Sequence, residues 1–166
     1  MKCSDVYLYE SVMNPDQFGT LPQLSQLSVE FCKLKMLPDG AFIGLKNLRE
    51  LRVQGHNSEW SGSMTLQLGE ETLRGLSKLE ILDLADNNIW GLPLSTLCAT
   101  PSLRTLNLTL NNIVEVSEVE LTSLPFILQT RLNVEIFINR KVIALAKITF
   151  LSLLTCNKML YLCIQF

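Results

Sequence analysis

Two asparagines, Asn87 and Asn111, hold the same place in two closely similar stretches. These are Leu79-Glu-Ile-Leu82-Asp-Leu84-Ala-Asp-Asn87-Asn-Ile89 and Leu103-Arg-Thr-Leu106-Asn-Leu108-Thr-Leu-Asn111-Asn-Ile113. A primary amide both donates and accepts hydrogen bonds. At a bend it can therefore satisfy backbone groups that lose their partners there. Removing such a partner costs about 1–3 kcal/mol. Matching positions elsewhere carry Ser11, Cys32 and His56; serine and histidine can donate, whereas cysteine is small and only a weak donor. The chemistry on offer is structural. His56 is the single histidine, and no local motif gathers a nucleophile, a base and an orienting group around it. The eight glycines are dispersed among turns rather than forming a phosphate loop. Five cysteines (Cys3, Cys32, Cys98, Cys156, Cys163) show no C-x-x-C pair and no histidine at metal spacing. No catalysis, cofactor or metal is expected.

The elements that must position these corners follow from a repeated template. It runs apolar, two variable, apolar, one variable, apolar, two variable, a polar or small residue, one variable, apolar. Copies start at Cys3, Leu24, Leu48, Leu79 and Leu103, spaced 21, 24, 31 and 24 residues apart, with a decayed sixth expected at Ile127. Periods of about 20–29 residues with this leucine pattern are the signature of leucine-rich repeats. The alternation within each copy predicts a short strand with one buried side. The expected fold is an α/β solenoid. It is a right-handed coil with short parallel strands on its concave face and an irregular or short helical convex side. Residues 1–126 would form the repeat domain. Residues 127–166 form a degenerate repeat and an apolar, basic tail without repeat spacing, expected not to fold natively here, with a helix capping the open end of the solenoid or a membrane span as the alternatives.

The return path is also regular. Apolar residues recur five apart at Met13 and Phe18, Leu37 and Phe42, Leu68 and Leu73, Leu92 and Leu97, and Val116 and Leu121. Copy three breaks this rhythm. From corner to the next apolar leucine takes five residues in its neighbours but twelve from His56 to Leu68. The additional residues fall within a segment rich in turn formers around Trp60, which reads as a loop at the edge of the coil, with Trp60 folded back onto the repeats.

Positions three, five, seven and eight of each copy should face outward. They carry six acidic residues (Asp5, Glu10, Glu30, Glu50, Asp83, Asp86) and one basic residue, Arg52. Such a face suits a basic protein ligand and repels nucleic acid, as does a formal charge of −2 without a Lys/Arg cluster. Aromatic residues are enriched at interface centres, so Tyr7, Tyr9 and Phe31 join Glu30, Glu50, Arg52, Asp83 and Asp86 as candidate contacts. Asn107-Leu-Thr109 is the single N-x-[ST] tripeptide, a candidate glycosylation site at an outward strand position.

Cys3 and Cys32 fall eight template positions apart. At roughly 3.3 Å per extended residue, that exceeds the Cα separation of about 7 Å a disulfide tolerates, so both are expected reduced. No signal peptide is visible at the N-terminus. Lys147 and Lys158 break the tail's apolar runs below the roughly 18 residues of a membrane span. Removing residues beyond about Leu128 is expected to improve solubility.

The chain resembles the ectodomain of insect-type Toll receptors, the long leucine-rich branch of the Toll-like receptor family. The resemblance rests on Cys-Ser-Asp-Val-Tyr-Leu-Tyr-Glu-Ser at 3–11, Phe31-Cys-Lys-Leu, Leu51-Arg-Val-Gln-Gly-His-Asn with Trp60, and Asp86-Asn-Asn-Ile-Trp-Gly-Leu-Pro93. It implies a recognition module on the extracellular side of the plasma membrane, in a single-pass receptor that signals and dimerises when complete. A secreted or matrix leucine-rich-repeat protein with an adhesive role is the alternative.

Overall fold

Leucines in template register set the strands, and the strands line up column by column. A computed structural model describes residues 11–14, 18–30, 32–56, 64–113, 135–138 and 141–144. Its strands in chain order are β1 (Ser11–Val12), β2 (Gln26–Glu30), β3 (Leu34–Leu37), β4 (Glu50–Gln54) and β5 (Gln67–Leu68). They continue with β6 (Ile81–Asp83), β7 (Thr105–Asn107), β8 (Glu135–Ile138) and β9 (Lys141–Ala144). The main sheet has six strands in the order β2-β4-β6-β7-β8-β9; a three-stranded sheet runs β1-β3-β5. Every pairing is parallel except β8 with β9.

Template position four forms one column: Leu27 stands opposite Leu51, Leu51 opposite Leu82, Leu82 opposite Leu106, and Leu106 opposite Ile136. Position five forms the next, from Ser28 through Arg52 and Asp83 to Asn107 and Phe137. This register holds across the 31-residue spacing between copies three and four as well as across the 24-residue ones. Spacing along the chain therefore does not set the register; residues 57–63, including Trp60, lie outside the described residues.

Burial follows from the same positions. Leu48, Leu51 and Val53, then Leu79, Leu82 and Leu84, are fully covered, and Leu103, Leu106 and Leu108 nearly so. From the return side come Leu37, Phe42, Leu45, Leu66, Leu73, Leu76 and Leu97. Phe18 and Phe42, each five residues past an apolar partner, stack with ring centroids 6.0 Å apart. Each buried side chain contributes roughly 1.5–3 kcal/mol against the entropy of ordering. One copy alone has one layer; the shared core needs its neighbours. The return side carries the short parallel strands of the β1-β3-β5 sheet, turns, and a 3-10 helix at Leu94–Ala99 entered through Pro93. Layers approach closely there: a Cβ on Gly44 would stand 2.6 Å from Gly19 Cα.

Two sequence expectations need correction. The strand after β7 does not follow a start at Ile127. Glu135 pairs with Thr105, so it occupies strand position three rather than the corner. The sixth copy is thus six residues late, and its residues 135–138 turn back into antiparallel β9. The second correction concerns Cys32, which is disulfide-bonded to a cysteine outside the described residues. The expectation of a reduced thiol measured Cys32 against Cys3 alone, along extended template strands; Cys3, Cys156 and Cys163 all lie outside the described residues, so that strand spacing does not bear on the bond.

Candidate functional site

The corners are built by asparagine amides that bridge successive layers. Asn87 is fully buried. Its Nδ2 donates to the carbonyls of Val53 (2.6 Å), Leu84 (2.9 Å) and Ala85 (3.0 Å), and its Oδ1 accepts from Gly55 N–H at 2.8 Å. Asn111 repeats this one layer on. Its Nδ2 donates to Leu84 O (2.8 Å) and Leu108 O (3.1 Å), while its Oδ1 accepts from the N–H groups of Asn87 (3.1 Å) and Ile89 (2.9 Å). A second amide row runs beside it, Asn112 donating to Asn88 Oδ1 and Asn88 to Met64 O.

His56 takes the corner of copy three in the left-handed region, φ 53°. Its Nδ1 lies 2.7 Å from Asp86 Oδ2, joining copies three and four at their edge. Cys32 Sγ contacts Glu30 O at 3.4 Å. Ser11 begins β1, and its side chain lies outside the described residues. The corner set is therefore unequal: two amides carry backbone partners on both sides, while His56 pairs with a carboxylate.

Arg52 is the hub of the main sheet's outer face. Its guanidinium is bonded to Glu50, and that hydrogen bond, the Glu50 charge and the nearby Asp83 and Glu30 charges raise its pKa above the usual value. Gln26 Nε2 reaches Glu50 at 3.0 Å from β2, Ser28 donates to Glu30 at 2.9 Å, and Gln54 donates to Asp83 at 3.3 Å. Asp83, expected to face solvent, is only 8% exposed. Its Oδ1 accepts the Ala85 N–H at 3.0 Å, which turns the carboxylate onto its own chain. Gly55 and Ala85, also expected outside, are buried. Glu30, Glu50 and Asp86 are partly exposed and Arg52 is exposed. Tyr7, Tyr9 and Phe31 lie outside the described residues.

Sequence reading missed the exposed Trp90 (63%), whereas Leu110 (71%) stands at position eight, which the template turns outward. Trp90 follows the buried Ile89, and its position one past the end of the template was the available signal. Leu110 has φ 56°, as does Asp86 at the same template position; leucine gives no hint of that backbone. Asn107 ends β7, partly exposed. Among the described residues, no helix is long and apolar enough to cross a membrane.

Comparison with known proteins matches these features. A leucine rich repeat family model matches residues 61–113 and 77–127. Toll-like receptor 7 of Drosophila melanogaster is 45% identical over 113 residues, covering 68% of this chain and 8% of the receptor. Toll-like receptor 3 of Bos taurus is 33% identical over 100 residues, 59% of this chain and 11% of the receptor. Podocan of Mus musculus is 42% identical over 72 residues, 43% of this chain and 11% of that protein. The chain spans about a tenth of the length of these relatives.

Proposed function

We propose that this chain, whose leucine-rich repeats are similar to those of Toll-type receptors, serves as an extracellular protein-recognition segment of such a receptor. In this reading the repeats coil into a right-handed solenoid, with the six-stranded sheet as its concave face. A protein ligand docks on the outward side chains of β2 and β4. The observation that carries it is the column register: strands held in fixed array present Glu30, Glu50 and Arg52 as a rigid surface, and rigid surfaces lose little entropy on binding. Arg52 among three carboxylates leaves the described face net acidic, which favours a ligand with a basic patch. A disulfide at Cys32 fits an oxidising, extracellular setting. Receptor dimerisation and signalling belong to the complete receptor in this reading.

The test is a screen of the multimerised chain against secreted and cell-surface proteins of its source organism, run beside a Glu30→Lys/Glu50→Lys variant. Binding is expected for the native chain and lost in the variant at unchanged melting temperature. A partner that binds both equally, or no partner at all, would overturn the assignment of this face.

A further inference from the structure

We infer that Asn107 is an N-glycan attachment site, and that the glycan restricts partner docking to the β2–β4 side of the sheet. The proposal rests on the extracellular reading above. Asn107-Leu-Thr109 is the single acceptor tripeptide in the chain, and it straddles the end of β7 and the turn that follows. Asn107 Oδ1 accepts both the Thr109 N–H at 3.1 Å and the Thr109 hydroxyl at 2.8 Å. Those two bonds fix the amide plane. Among the described residues nothing accepts a hydrogen bond from Nδ2, and Asn107 is partly exposed, so the nitrogen is held outward. Compare Asn87 and Asn111, whose Nδ2 atoms each serve two or more buried carbonyls and have no room for a substituent. The Cys32 disulfide that supports the extracellular reading also gives the compartment: it requires an oxidising environment, and the secretory route supplies both the oxidant and the sugar donor.

The transfer is a substitution. Asn107 Nδ2 forms a bond to the anomeric carbon of a lipid-pyrophosphate-linked oligosaccharide. The anomeric C–O bond breaks, the lipid pyrophosphate leaves with the electron pair, and one amide proton is lost. No oxidation state changes. Asn107 shares a column with Asp83 and Arg52. At about 4.8 Å between strands, the sugar root stands roughly 10 Å from Arg52. A branched glycan there shields the outer face of β7 and leaves β2 and β4 open.

The experiment expresses the whole 166-residue chain behind a cleavable leader in mammalian cells. Secreted and cell-retained material are both digested with peptide N-glycosidase. A mobility shift is expected, with residue 107 recovered as aspartate because the enzyme hydrolyses the amide. Asn107→Gln and Thr109→Ala should abolish the shift, and Thr109→Ser should keep it. An unshifted chain with Asn107 intact and Cys32 oxidised overturns the glycan while the extracellular reading stands. Cys32 recovered reduced from secreted chain counts against both.

Discussion

The side-chain oxygen of Asn111 accepts two N–H groups from the preceding layer while its nitrogen holds carbonyls of both layers. Replacing it with alanine strands the Asn87 and Ile89 N–H groups in a buried site. Asn111→Ala should lose roughly 1–3 kcal/mol per orphaned group, read as a lowered urea midpoint. Leu110 offers the opposite case. It is 71% exposed and holds φ 56°, a conformation costing an ordinary L residue about 1–2 kcal/mol. Asparagine tolerates that backbone, so Leu110→Asn should stabilise by about 1 kcal/mol, seen as a higher melting temperature. The sequence displayed the amide corners because two nearly identical copies repeat them. It hid the strained leucine, since nothing in that side chain demands a positive φ. Asp83 was misplaced for a similar reason: alternation puts position five outside, and only the local bend turns its carboxylate back onto Ala85.

At the scale of elements, the strands were legible because two signals coincide. Alternation marks one buried side, and equal spacing marks which residues share a column; together they place Leu51, Leu82 and Leu106 opposite one another. Leu82 sits in the middle of that row with no accessible surface. Leu82→Ala should cost about 2–5 kcal/mol, whereas Leu21→Ala, at a 46% exposed site, should leave the denaturation midpoint nearly unchanged. Equal losses at both sites would contradict the shared core. The return side was less readable. Turns and a short 3-10 helix need apolar residues only every five positions, too sparse a pattern to announce a shape. The register between copies one and two was not readable either: Ser11 pairs with Leu34, two residues from where the template sets it.

Across the whole molecule, the sheet does not stop where the leucine pattern fades. β8 continues the parallel array and β9 folds back against it. A chain ending at residue 128 would remove both strands and bare the edge of β7. It should melt at lower temperature than a chain ending at residue 145, which keeps them. Circular dichroism melts of the two truncations decide the matter. Equal stability would return the tail to the status its sequence suggested, and improved solubility on the shorter cut would do the same.

The seven surplus residues of copy three leave the strand columns undisturbed. Alignment in this array is counted per strand rather than per residue, so the contour length reeled out between neighbours is free to vary. The chain between strands can lengthen or shrink by insertion and deletion with no compensating change in the next layer. Novelty can thus accumulate between strands while the frame that carries them stays fixed.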